Sequence, residues 1–125
     1  MQKKTNKQTF VKVDYRLLYK KRILDYLKSL KDKDLTLLEM DEAMGKLFNL
    51  GDETVIPICL DKLRENDEEM APIVCYALEY ANNISVLEPL LEILIMTDVS
   101  DRIKARIIAA LGHYGVDAAD LPLEF

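Results

Sequence analysis

The 125-residue chain has no tryptophan, one histidine (His113), two cysteines (Cys59 and Cys75), four glycines and four prolines. Each scarcity closes off a class of function. A zinc site needs three or four His, Cys or carboxylate ligands at close spacing, and one histidine with two scattered cysteines cannot supply them. No metal and no cofactor is expected. The two cysteines sit inside apolar stretches and read as small core residues, too few for a disulfide framework. Gly45 and Gly51 stand isolated, so there is no GxxxxGKS/T or GxGxxG phosphate loop. HExxH and GxSxG are absent as well. No apolar run approaches the ~18 residues of a membrane span. The start "MQKKTNKQTFVKV" is basic but lacks the apolar core of a secretory signal, which leaves the cytoplasm as the expected compartment.

Half of the residues are apolar and 31% are charged, the composition of a soluble globular domain. The length suits a single domain able to bury a core without staples. The net charge of −5 conceals a polarity. Residues 1–33 hold 11 Lys/Arg against 3 acids, a net of +8, whereas residues 34–125 hold 6 against 19, a net of −13. Residues 1–12 are aperiodic and Lys-rich and read as a flexible basic tail, leaving 13–125 as the folded domain.

From Asp14 onward the apolar residues recur at steps of three and four, the spacing of one helix face. Tyr15, Leu18, Tyr19, Ile23, Tyr26, Leu27 and Leu30 mark the first helix. A second spans about Asp34 to Leu50, with Leu38, Met40, Ala43, Met44, Leu47 and Leu50 on its apolar side and Gly51 as terminator. Asp52 is the expected cap of a third, which carries Val55, Ile56, Cys59, Leu60 and Leu63. Asn66 or Asp67 would cap the fourth, with Met70, Val74, Ala77, Leu78 and Ala81 on one face and "NN" at 82–83 ending it. The fifth uses Val86, Leu87, Leu90, Leu91, Leu94 and Ile95. Ser100 would cap the sixth, which presents Ile103, Ile107, Ala110, Leu111 and Tyr114 and stops at Gly115. No stretch alternates in the manner of a strand. The chain is predicted to be all-α.

These helices repeat. A shift of 31 residues lays Leu47 on Leu78, Val55 on Val86 and Leu60 on Leu91, and a shift of 33 lays Met70, Val74, Ala77 and Leu78 on Ile103, Ile107, Ala110 and Leu111. The unit is a helix pair, present about three times at 14–50, 52–81 and 84–115, with 116–125 as a C-terminal cap. One pair cannot bury its apolar faces alone; stacked pairs can, in one elongated core. Leu121, Leu123 and Phe125 are expected against the last pair.

The stretches "KLFNLGDETVIPICLDKL", "NDEEMAPIVCYALEYANNISVLEPLLEIL" and "SDRIKARIIAALGHYG" resemble the HEAT-repeat family in its short bacterial form. The chain departs from that pattern at Asn82, Glu79 and Pro72. Pro57 and Pro89 fall near one phase of their helices, where a proline bends the axis. The resemblance implies an α-solenoid, a right-handed superhelix whose second helices line a concave face. On that implied face the off-core stripe reads Glu42, Gly45 and Asn49, then Ile73, Tyr76 and Tyr80, then Arg106, Ala109 and His113. Tyrosine and arginine are enriched at binding hot spots.

An enzyme is not expected. Neighbouring acids such as Asp41/Glu42 and Glu68/Glu69 point about 100° apart on a helix and cannot share a proton. The leading reading is a small scaffold that binds another protein through Tyr76, Tyr80, Arg106 and His113, with Glu42 and Asn49 alongside. A second is a nucleic-acid module using Lys20, Lys21, Arg22 and Lys28 of the basic first helix on phosphates, against which stands the acidic remainder. A third is self-association, basic end to acidic end.

Overall fold

The computed structural model describes residues 15–121. The basic tail expected at 1–12 and the contacts expected of Leu123 and Phe125 lie outside that range. Within it the fold is all-helical. Six α-helices succeed one another: α1 (Tyr15–Lys31), α2 (Leu37–Asn49), α3 (Asp52–Arg64), α4 (Ala71–Ala81), α5 (Leu87–Leu94) and α6 (Asp101–His113). Single 3-10 turns occupy Ile84–Val86 and Ala118–Asp120. Among these residues no helix is long and apolar enough to cross a membrane.

The helix ends are set by local chemistry. α2 begins later than Asp34 because Thr36 and Glu39 form a capping box. Thr36 Oγ1 accepts from the Glu39 N–H at 3.1 Å, and the Glu39 carboxylate accepts from the Thr36 N–H at 2.9 Å. Those bonds favour the ionised carboxylate and hold Glu39 below its ordinary pKa. α3 opens differently from expectation: Gly51, not Asp52, is the cap residue, and it has no side chain with which to cap. Its φ of +148° is open only to glycine at low cost, so the tight passage from α2 to α3 rests on Gly51.

α3 and α6 end alike. Asn66 (φ +61°) and Gly115 (φ +87°) occupy the left-handed position after the last turn. The next residue then reaches back, Asp67 N–H to the Lys62 carbonyl at 3.2 Å and Val116 N–H to the Leu111 carbonyl at 3.0 Å. Both are Schellman closures, which satisfy carbonyls the helix would otherwise leave open. The Asp67 side chain caps the turn leading into α4, accepting from the Met70 N–H at 3.2 Å, but α4 itself starts only at Ala71. Pro72 therefore sits in the first turn, where its missing N–H costs nothing. Ser100 caps α6 as expected, accepting from the Ile103 N–H at 3.3 Å.

The two prolines expected to act alike do not. Pro57 lies inside a continuous α3. Pro89 lies in the first turn of α5, and the chain before it is a 3-10 turn. A proline ring crowds the carbonyl four residues back, here Ser85, so α-geometry stops short of that residue.

Packing runs in two rows. α1 packs on α3 and α3 on α5, while α2 packs on α4 and α4 on α6. The rows meet most extensively where α3 lies against α4, with α5 against α6, α2 against α3, and α1 against both α4 and α2. One core threads between them, with Ile23, Leu27, Met44, Leu47, Leu63, Met70, Leu78, Leu90, Ile93, Leu94, Ile103 and Ile107 among its fully buried side chains. Each contributes ~1.5–3 kcal/mol by leaving water. Cys59 and Cys75 are buried free thiols within it, and burial raises both pKa values to about 12. Leu121 packs against the core from the C-terminal side.

Some residues assigned to the core are outside it. Leu18, Leu38 and Ile95 are 40%, 72% and 62% exposed. They belong to the first turn of α1, the first turn of α2 and the position after α5, where the periodic stripe runs past the neighbouring helices.

Side chains also tie one helix end to the next. Asn66 Oδ1 accepts from the Ser100 N–H at 2.8 Å. The Tyr114 hydroxyl donates to the Leu78 carbonyl and accepts from the Asn83 N–H, the latter at 3.1 Å. The last turn of α4 is thereby closed by a residue at the end of α6.

Candidate binding groove

α4 occupies the middle of the even-numbered row, and its solvent face carries Tyr76, Glu79 and Tyr80 one turn apart. An open groove of about 500 Å³ lies over that face, lined by Asp41 of α2, Tyr76, Glu79 and Tyr80 of α4, Asn82, and His113 of α6. Three helices therefore supply one site.

Each aromatic in the groove is held in place. The Tyr76 hydroxyl donates to Asp41 Oδ1, a bond that joins α4 to α2. Accepting carboxylate and nearby negative charge both oppose loss of the phenolic proton. The Asp41 bond leads, then burial, then the Asp41 and Glu79 charges, and together they push the Tyr76 pKa up to about 12. Tyr80 stacks on Phe48 of α2, with ring centroids 5.6 Å apart and planes at 29°. Its hydroxyl lies over Gly45, 3.5 Å from where a Cβ would stand. Yet Tyr80 remains 42% exposed. His113 sits edge-on to Tyr114 and faces Glu79, Nδ1 to Oε1 3.8 Å. Asp41 and Glu79 give the groove two carboxylates beside an aromatic wall.

The structure brings together Tyr76, Tyr80 and His113 from the expected set and leaves the others elsewhere. Arg106 lines a separate hollow of about 260 Å³ with Glu68, Ala71, Pro72 and Arg102. Seven residues separate it from His113, or ~10 Å along a helix. Glu42 faces the other way, into a hollow shared with Tyr26, Leu30 and Lys33 near α1. Asn49 is exposed outside the groove, and Ile73 is a core residue, 6% exposed. Ala109 is exposed on α6 but does not line the groove. On α2 the groove takes Asp41, with Phe48 behind Tyr80, where sequence reasoning places Glu42 and Asn49. Gly45 keeps its place under Tyr80, but the ends of the α2 stripe are one residue out of phase, and one residue is 100° of helix. Asp41 and Phe48 escape the sequence reading for that reason; their spacing from Gly45 by four and three residues is the available signal.

Lys20, Lys21, Arg22 and Lys28 of α1 are exposed, but they are not a free array. Lys21 Nζ pairs with Asp25 Oδ2 at 2.8 Å, and the Arg22 guanidinium lies 5.9 Å from the centre of the Tyr19 ring. Among the described residues no three of His, Cys, Asp and Glu gather as a metal set. No family model matches this chain, and no curated protein or solved structure matches it either.

Proposed function

We propose that this protein is a non-catalytic helical-repeat scaffold, built on the HEAT plan, that holds a partner protein in the groove over α4. Support for the repeat plan comes from the two sequential rows, α1–α3–α5 and α2–α4–α6, and from the positive φ shared by Gly51, Asn82 and Gly115 just after α2, α4 and α6. The sequence shifts of 31 and 33 residues relate α2, α4 and α6 to one another, and the shift of 31 relates α3 to α5. The free, buried Cys59 and Cys75 suit a reducing compartment such as the cytoplasm.

The observation that carries the functional reading is the groove itself. Tyr76 and Tyr80 are anchored by Asp41 and Phe48 rather than left to rotate, so a partner would lose little side-chain entropy in meeting them. Aromatic walls with two carboxylates favour a lysine or arginine side chain of the partner, by cation–π contact and charge pairing. The test is capture of partners with the intact protein and with Tyr76→Ala/Tyr80→Ala, helicity being followed by circular dichroism. Loss of the partner with helicity retained is expected. Unchanged capture would remove the groove from consideration.

A further inference from the structure

The two outermost helices of the odd-numbered row have complementary outer faces. α1 turns Ile23, Leu27 and Leu30 inward, and the opposite side of the same helix carries Leu17 and Leu18, 64% and 40% exposed, with Lys21 and Lys28. α5 turns Leu90, Ile93 and Leu94 inward, and its opposite side carries Glu88, Glu92 and Ile95, the last 62% exposed, with Ile84 at 77% in the turn before it. One face is apolar and basic, the other apolar and acidic. Asp25 is the single acid on the α1 face, already paired with Lys21. Within the chain, α1 is succeeded by α3 and α3 by α5, each packed against the next. Among the described residues no helix of that row lies beyond α5.

We propose that the place beyond α5 is taken by α1 of a second copy, so that the protein associates head to tail. The apolar side chains Leu17 and Leu18 meet Ile84 and Ile95, and Lys21 and Lys28 meet Glu88 and Glu92. This interface is separate from the groove over α4 and does not depend on it. The contact is heterologous: each copy offers a different face, and a dimer leaves one of each kind unsatisfied, so association continues into short chains unless the rotation closes a ring. Like charges at either face would oppose it, and salt would screen the attraction, the Debye length falling from ~8 Å at 0.15 M to ~3 Å at 1 M.

Sedimentation velocity tests this directly. The intact protein should show a sedimentation coefficient that rises with concentration at low salt and less steeply at high salt. Two charge-reversed variants are then needed, Lys21→Glu/Lys28→Glu on α1 and Glu88→Lys/Glu92→Lys on α5. All four positions are exposed, so helicity should be retained. Each variant alone presents two faces of the same sign and should associate at least about tenfold more weakly. An equimolar mixture of the two restores opposite signs at the contacts between unlike variants and should associate again. Three results would each overturn the proposal: a wild-type coefficient independent of concentration, association unaffected by the reversals, or a mixture no more associated than its parts. Because the wild-type measurement uses no variant, the proposal stays testable even if a variant fails to fold.

Discussion

Replacing Tyr114 by phenylalanine removes one oxygen and leaves the ring, so its effect isolates the bond between α6 and the end of α4. That hydroxyl donates to the Leu78 carbonyl and accepts from the Asn83 N–H. A protein–protein hydrogen bond contributes a net ~0.5–1.5 kcal/mol, and an abandoned buried group costs more. Asn83 is exposed, so water can take over its N–H, and its share falls at the low end. Leu78 is fully buried, so its carbonyl has no such replacement. The sum is about 1–2 kcal/mol. For a chain of 125 residues, unfolding entropy near ~2.1 cal/mol/K per residue converts this to a fall in Tm of roughly 4–8 °C. Thermal and urea unfolding followed by circular dichroism would measure it, with Tyr76→Phe as the comparison. The Tyr76 hydroxyl also bonds across helices, but to the exposed carboxylate of Asp41, so its loss should cost ~0.5 kcal/mol. A Tyr114→Phe protein no less stable than Tyr76→Phe would refute the argument that α4 is closed by α6.

Further outcomes can be checked independently. Gly112 lies in the last turn of α6 with nothing within 4 Å of a built Cβ, so Gly112→Ala should stabilise by ~0.5–1 kcal/mol in urea unfolding. Three residues on, Gly115 holds φ at +87°, and Gly115→Ala should destabilise by about 1 kcal/mol. Thr36→Ala breaks the capping box of α2 and should cost ~1 kcal/mol. Tyr76 gives a pH signature: its folded pKa is raised, to about 12, so the stability linked to it is complete below pH 10 and declines as pH rises from ~10 to ~12. In ultraviolet titration Asp41→Asn should bring one phenol back to lower pH, and a titration curve unchanged by that substitution would contradict the cause assigned to the shift.

Much of this arrangement is legible in the residues, and the failures share a physical form. Ser100, Ile103, Ile107, Ala110, Leu111 and Gly115 define α6 correctly because cap, stripe and terminator all lie within one segment and need no partner to be read. The Thr36–Glu39 box is equally local, written as "TLLE", but the charge cluster just before it makes the more conspicuous break and draws the expected helix start to Asp34. Leu38 and Ile95 are different. Their periodicity is correct, but whether a stripe is buried at its last turn depends on how far the neighbouring helix extends. The groove is half legible. Tyr76 and Tyr80 are one turn apart on α4, which any helical wheel shows. Which residues of α2 oppose them depends on how α2 is rotated about its axis, and that rotation is fixed by Met44 and Leu47 packing into the core. A shift of one position replaces Glu42 and Asn49 with Asp41 and Phe48. Arg106 is displaced by distance along the helix, a dimension that an aligned stripe does not carry.

The proposed function puts a partner protein in the groove over α4. Site-specific photo-crosslinking in the native cell tests it most directly, with the reactive residue placed at Tyr80 in one variant and at Lys28 on the outer face of α1 in another. The groove reading predicts a discrete adduct with a different protein from Tyr80, lost when Asp41 and Glu79 are changed to lysine and absent from Lys28. An adduct to a foreign protein from Lys28 alone, with none from Tyr80, would contradict it.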